Sequence, residues 1–477
     1  MEHPLSQDGG AHKAVWHCKG DAGIRICFIC RNLIAHASAI KDEEGAAILT
    51  SSIIHEEELD FATDDDVRES VMRLAQHCGE PDFALRQQAV GFRHEAHGIL
   101  MDRSLDRIVK PVSHYAHDWM HTMLVSGVFN TVAFLFFEEL MQCGNKQIWE
   151  TCHDYLELWV WPAAVVGKSV AGVFQRKRVA STRKAGILKC TASESLSLYS
   201  VLAYFVLVVV LPSGACIAQC KAFLTLCDIM DLLQSVPLGV VSPALLSRAV
   251  KAFLDFCTHA KWQKYMHPKF HWMIHFIKEL ERFGCLPTCF VHERKHRVAK
   301  RYANDICNTK KFEVSVLGEV ICHNLAVIAE PDVFNMKVGL AQPRKASKML
   351  VSCMAKVLNL ELGAADVFTS NEARLSPAGR CARKDIVLVR SEDGRNFVAG
   401  EVWVHADVCG ELISVISLWS VIKYDRATSA AEWRALINPQ VVSTHDILCA
   451  TIFTHCRAGV VRTLVPYQFR SLEAKDI

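Results

Sequence analysis

The hydrophobic period of this 477-residue chain changes once, and that change divides what it can fold into. From about residue 67 to 330 apolar side chains recur at i, i+3, i+4 and i+7. VRESVMRLAQHC, FNTVAFLFFEELMQC, ALLSRAVKAFLDFC and WMIHFIKELERF each lay one apolar stripe along a helix. After residue 384 the period becomes two. KDIVLVRS, NFVAGEVWVH, ELISVISLWSVI, DILCATIFTH and VVRTLVPYQF read as five strands, parted by turns such as Glu392-Asp393-Gly394. A small antiparallel β-barrel over 385–470 is the economical fold for them. The segment 331–384 reads as a linker, marked by Pro331, Pro343, Pro377 and Gly379 and holding one helix, SKMLVSCMAKVL. Upstream, residues 1–40 gather turns and cysteines, 41–110 pass from acidic runs into helix, and 111–330 form an all-helical body.

Composition narrows the class. With 51% hydrophobic and 22% charged residues the chain is globular and long enough for two to four domains. A net charge of +2 neither favours nor excludes nucleic acid, so only local clustering of cations bears on that partner. Twenty scattered cysteines and an opening Met-Glu-His-Pro-Leu-Ser with no secretory pattern imply a reducing compartment, nuclear or cytoplasmic. Leu196 to Leu211, LSLYSVLAYFVLVVVL, is nearly all apolar, but it is shorter than the roughly 20 residues a spanning helix needs, and Pro212-Ser213-Gly214 ends it. A buried core helix and no membrane is the expectation; membrane association is the alternative.

Two pairs of residues carry metal chemistry. Cys27-Phe28-Ile29-Cys30 has the C-x2-C spacing that lets two thiolates bind one zinc, and His271 and His275, four apart on a helix, project from one face. Together they make a complete tetrahedral donor set, a staple between distant segments; the plain alternative is core thiols and satisfied histidines. A second stripe, SHYAHDWMH, sets His114, His117 and His121 on one helical face around Asp118, to bind a metal or to pack on the core. Two basic runs stand out. Glu293 sits beside Arg294, Lys295 and Arg297, with Lys300 and Arg301 following, and QRKRVASTRK holds Arg176, Lys177 and Arg178. Such runs suit phosphates or a solvated face.

SQDGGAHKAVWHCKGDAGIRICFICRNL resembles the segment around the second catalytic aspartate of CACTA/EnSpm-type and related DDE transposases. HDWMHTMLVSGVFN resembles that family's D-x-x-H motif with its downstream Gly-Val. PKFHWMIHFIKELERFGCLPTCFVHERKHRVAKR resembles the block carrying the closing glutamate. The three motifs keep the family's order over roughly residues 5 to 330. The resemblance implies a mainly α, multidomain α+β chain: a partial ribonuclease-H-like α/β core in 1–40, an all-α insertion in 111–330 that returns to the His pair and the glutamate helix, and the C-terminal small β-barrel. It implies Asp8 and Glu293 as the second and third catalytic acids, holding Mg²⁺ or Mn²⁺ for strand cleavage and transfer. It implies Cys27, Cys30, His271 and His275 as structural zinc ligands, as in the related V(D)J recombinase and Transib cores, with Asp118 and His121 in support. Lys19 and the two basic runs would contact DNA, either transposon ends or chromatin, in a possible homo-oligomer. The family's first aspartate lies on an upstream strand, and only seven residues precede Asp8. The expectation is therefore a truncated, transposase-derived chain, catalytically incomplete alone; the alternative is a non-enzymatic, zinc-stapled DNA- or chromatin-interaction protein.

Overall fold

The computed structural model describes residues 5–6, 9–20, 23–34, 55–165, 170–307, 310–329, 337–363, 366–375 and 379–475, the side chains of 5–12 and 291–297 excepted. The chain is a mixed α+β protein that divides into two compact units. The first comprises Met1–Glu150 with Val173–Lys295, the second Thr151–Gly172 with His296–Ile477.

In chain order the helices are α1 (Gly9–Trp16), α2 (Asp64–Gln76), α3 (Phe83–Val90), α4 (Trp119–Leu124), α5 (Val128–Gln142), α6 (Ile148–Glu157) and α7 (Arg176–Ala185). There follow α8 (Ala192–Phe205), α9 (Ile217–Ser235), α10 (Pro243–His259), α11 (Pro268–Phe283), α12 (Phe290–Asp305), α13 (Phe312–Ala329) and α14 (Lys348–Leu358). Local chemistry sets where they begin. Thr63 and Asp66 form a capping box at α2, Thr191 and Glu194 another at α8, and Ser242 caps α10 just before Pro243.

In the first unit the strands β1 (Leu5–Ser6) and β2 (Tyr115–Ala116) pair in parallel, Leu5 opposite Tyr115 and Ser6 opposite Ala116. The helical core is aromatic: Phe136 of α5 stacks on Phe223 of α9 at 5.0 Å, and Phe137 on Trp149 at 4.7 Å. The apolar stretch from Leu196 is α8 prolonged by a π-helical turn, Val206–Val210. Leu198, Leu202, Phe205 and Val206 are buried, whereas Val208 and Val209 face solvent. Among the described residues three helical stretches, Trp119–Gln142, Ala192–Ser213 and Phe312–Ala329, are long and apolar enough to cross a membrane.

One glycine governs the turn from α4 to α5. A Cβ on Gly127 would stand 2.4 Å from Thr122 O and 2.5 Å from Met123 C, backbone atoms with no freedom to rotate away. Gly127 N–H also donates to Asn130 Oδ1 (3.0 Å), and Asn130 Nδ2 to Leu188 O (3.1 Å). Gly127→Ala should therefore destabilise the chain by about 3 kcal/mol, read as a lower urea midpoint.

The second unit carries the strands β3 (Trp159–Val160), β4 (Gly339–Ala341), β5 (Arg344–Lys345), β6 (Val367–Ser370), β7 (Glu372–Leu375), β8 (Gly379–Ala382), β9 (Ile386–Arg390) and β10 (Asn396–Val408). After them come β11 (Glu411–Leu418), β12 (Ser420–Asp425), β13 (Ala430–Arg434), β14 (Pro439–Ser443), β15 (Ile447–Ala450), β16 (Phe453–Arg457), β17 (Val460–Leu464) and β18 (Glu473–Ala474). Among its described residues the sheets are antiparallel but for β18 beside β10. The long β10 pairs with β11 on one side; on the other its first half meets β9 and its second half β6.

Two stretches expected as single strands are each two. ELISVISLWSVI breaks at Trp419, whose N–H turns to Ala399 O, and DILCATIFTH breaks at Thr451, whose N–H turns to Ile386 O. The segment expected as a linker holds α14 together with β4 to β8, and all five strands join sheets. Phe397, Trp433, Val402, Ile416 and Val461 centre one apolar cluster, while Val351 and Met354 of α14 join Val367, Ala406 and Val408 in another.

His405 lies buried on β10, its Nδ1 2.7 Å from Ser414 Oγ and its Nε2 3.6 Å from Cys381 Sγ. Burial pushes its pKa down to about 4. Above pH 6.5 the imidazole is neutral folded or unfolded and costs nothing. As pH falls from 6.5 towards 4, only the unfolded chain takes up the proton, so stability is lost over that window, by up to about 3 kcal/mol. Urea unfolding at pH 7 and pH 4.5 should show this loss in the wild type and a smaller one in His405→Gln.

Candidate metal centre

The cysteine pair is held by a loop tied at several points. After α1, Lys19 N–H donates to Gly91 O (2.8 Å), and Cys18 bridges to Phe92. Arg25 then reaches forward over the turn, Nε donating to Cys30 O (3.0 Å) and Nη2 to Phe28 O (3.1 Å), which brings Cys27 and Cys30 to the same side. Beyond the turn, Ala62 N–H donates to Ile29 O and Arg31 N–H to Asp60 O, each at 2.7 Å.

The histidine pair belongs to the first two turns of α11, which His267 caps and Pro268 opens. Four-residue spacing puts His271 and His275 one turn apart, both buried. Cys27 Sγ lies 3.4 Å from His275 Nε2; Cys30 Sγ lies 3.5 Å from His271 Nε2 and 3.6 Å from His275 Nε2. The two Nε2 atoms are 2.9 Å apart. All four donor atoms fall within 4.8 Å of one another, so the cluster can hold a metal ion such as zinc.

The donors fit that ion. Zinc at about 2.3 Å from sulfur and about 2.0–2.1 Å from nitrogen spaces tetrahedral ligands roughly 3.3–3.8 Å apart. The sulfur–nitrogen distances lie in this range. The nitrogen–nitrogen distance is shorter, and two imidazole lone pairs so close require a proton or a cation between them. His271 Nδ1 is buried with no hydrogen-bond partner, so that ring's polar contacts all lie on the Nε2 side.

Charge follows geometry. Burial works against a Cys27 thiolate, but the hydrogen bond from Cys30 and the neighbouring His275 and His271 imidazoles outweigh it and hold Cys27 well below the usual thiol range. Cys30 is pushed up, first by the hydrogen bond to Cys27 and then by burial. Burial also lowers His271. The surroundings thus favour one thiolate and disfavour a second, and a divalent cation would draw the proton from the second thiol as well.

A further pair adjoins the cluster. The His117 ring stacks on His275 at 5.0 Å, with the planes 5° apart. His117 Nδ1 is 2.6 Å from Glu279 Oε1, and His117 N–H donates to Glu279 Oε2 at 3.1 Å. Burial pushes Glu279 up to about 8 and His117 down to about 4. Burial thus works against the charged form of each partner. Sequence reasoning passed over Glu279, although it continues the four-residue spacing of His271 and His275.

The expected stripe of His114, His117 and His121 on one helix is corrected. Tyr115 and Ala116 lie in β2 and α4 begins only at Trp119, so the three histidines share no helical face. Asp118 is the cap of α4, accepting from Met120 N–H (3.0 Å) and His121 N–H (3.4 Å). It also accepts from Cys289 N–H (3.1 Å), just ahead of α12, and its other oxygen meets His121 Nδ1. Asp118, His121 and Cys289 form a second group of donors within 4.8 Å, but these N–H groups already occupy the carboxylate. Lys269 Nζ closes the far end of α4, donating to His121 O (2.9 Å) and Val125 O (2.6 Å).

Asp8 lies outside the described residues. Glu293, Arg294, Lys295 and Arg297 belong to α12, with their side chains outside the described residues. Lys300 and Arg301 are exposed on its later turns. Arg176 and Lys177 are exposed at the start of α7, whereas Arg178 forms a forked pair with Glu194 (2.7 and 3.0 Å) and donates to Lys189 O. Lys19 is half-buried. No family model, curated protein or solved structure matches the chain.

Proposed function

We propose that this chain is a zinc-stapled, DNA-binding protein derived from a DDE transposase. The observation that carries the reading is the meeting of Cys27 and Cys30 with His271 and His275 across 241 to 248 residues of sequence. Their number and type suit structural zinc, and they are the four positions that the family resemblance singles out. Zinc held by four protein ligands has no open coordination position, so its part is to hold the two segments together. The parallel pairing of β1 with β2 supports a partial ribonuclease-H-like core beside it. In that reading Asp8 and Glu293 would hold Mg²⁺ or Mn²⁺, whose chemistry is to stabilise the attacking and leaving oxygens of a phosphodiester. The exposed Arg176, Lys177, Lys300 and Arg301 would meet the DNA backbone, in the nucleus or the cytoplasm. Arg178 instead ties α7 to the start of α8.

Duplex binding followed by fluorescence anisotropy tests this. Log affinity should fall linearly with log salt, by about 0.9 for each phosphate contact, and the pair Lys300→Glu/Arg301→Glu should reduce that slope by about two contacts. Binding that ignores both salt and charge reversal would sink the proposal.

One observation favours a second reading, membrane association. Val314, Leu317, Ile321, Leu325 and Ile328 of α13 are exposed, and no residue of that helix is buried. Flotation of the chain with phospholipid vesicles, abolished by Leu317→Glu/Ile321→Glu, is its expected result; a protein that stays at the bottom of the gradient excludes it.

A further inference from the structure

Twenty cysteines are distributed through the chain, and one pair outside the metal centre is set apart by its geometry. Cys143 ends α5 and Cys216 immediately precedes α9. Their sulfurs lie 2.8 Å apart across 73 residues of sequence, about 0.8 Å beyond the disulfide bond length of roughly 2.05 Å. Cys143 is exposed, Cys216 is half-buried, and the turn before it, Pro212-Ser213-Gly214, is open to solvent. Cys216 has φ +49°, a left-handed conformation uncommon for a side chain of its type and natural to glycine. The backbone holds this strained conformation where the thiol meets its partner. By contrast Cys152 and Cys257 are fully enclosed thiols with no path to a reagent.

We propose that Cys143 and Cys216 are a reversible dithiol–disulfide site that exchanges with low-molecular-weight disulfides. The exposed Cys143 thiol gives up its proton, which the first small thiolate takes up as it leaves, and the Cys143 thiolate attacks one sulfur of the small disulfide. That S–S bond breaks, one small thiolate leaves, and a mixed disulfide forms on Cys143. Cys216 then loses its proton and attacks Cys143 Sγ, expelling the second small thiolate, which takes up the proton. Two protein thiols are oxidised, one small disulfide is reduced to two thiols, and no other oxidant enters. Burial, and after it the hydrogen bond with Cys143, push Cys216 up to about 12, so the more exposed Cys143 and not Cys216 makes the first attack. Capping Cys143 removes its part of that restraint. The closed form would join the end of α5 to the start of α9 covalently. This inference goes beyond the proposed function and stands or falls independently of it.

The test uses the full chain equilibrated in glutathione buffers of rising oxidised fraction, quenched by acid alkylation and mapped by peptide mass spectrometry. The expected product is a Cys143–Cys216 cross-linked peptide, lighter by two hydrogens, that comes to dominate before Cys27 and Cys30 are modified and disappears on return to reduced glutathione. Cys216→Gly removes the thiol at a position where glycine is at ease, so the fold is kept. In that variant Cys143 should accumulate as the mixed disulfide with glutathione, trapped at the first step. Wild-type chain carrying stable glutathione on Cys143 with no cross-link would overturn the proposal, as would Cys216 pairing with Cys220.

Discussion

Purified chain should carry one zinc ion, and His271→Ala/His275→Ala should carry none. Structural zinc contributes on the order of 10 kcal/mol or more to a fold that depends on it, exceeding the whole stability of most domains. The first unit of the double variant should therefore lose cooperative unfolding, not merely shift its midpoint. The reason lies in what remains: two buried thiols, Cys27 and Cys30, facing a hole where imidazoles had been. The metal is read by mass spectrometry and the fold by near-ultraviolet circular dichroism. Cys27→Ser gives an independent approach, because it keeps both histidines and removes one ligand. A soluble Cys27→Ser chain with unchanged metal content and unchanged unfolding would refute the staple.

Trp433→Ala is the second large effect, and it belongs to the other unit. The indole is fully enclosed on β13, its Nε1 donating to Thr463 Oγ1 at 2.9 Å and its ring edge-on to Phe397 at 5.9 Å. Truncation leaves a cavity the size of the ring and an unpartnered Thr463 hydroxyl, a loss of about 3–5 kcal/mol. Because Trp433 and the proposed zinc ligands lie in different units, the variant should melt earlier in its β-rich part with the zinc content of the wild type. Trp403→Ala is the matching control. That side chain is 38% exposed, and its loss should change the midpoint little.

Much of this was legible from residue patterns, and the failures are physical. Helices such as α2, α10 and α11 announce themselves because each buries one stripe, and Ser, Thr and Pro mark where they start. The four candidate metal ligands could be paired in advance because C-x2-C and a four-residue His spacing each describe half of a tetrahedron. Their meeting needed the fold. His117 misled because histidines at 114, 117 and 121 imitate a helical stripe, while two residues between them are extended and paired with a segment over a hundred positions away. In the second unit β13 and β14 were missed: AAEWR presents alanines where a strand usually shows branched side chains, and PQVVS opens on proline. The strands within 339–382 are two to four residues long, too short for a period to register.

The distance in sequence between the two halves of the metal centre also has a meaning in time. A ribosome adding roughly 5–20 residues per second completes the cysteine turn tens of seconds before α11 is made. Throughout that interval Cys27 and Cys30 stand without His271 and His275. The growing chain must therefore keep this pair of thiols reduced until the two histidines arrive. With zinc as the proposed staple, poor zinc supply during synthesis would harm the protein more than the same scarcity after it is finished.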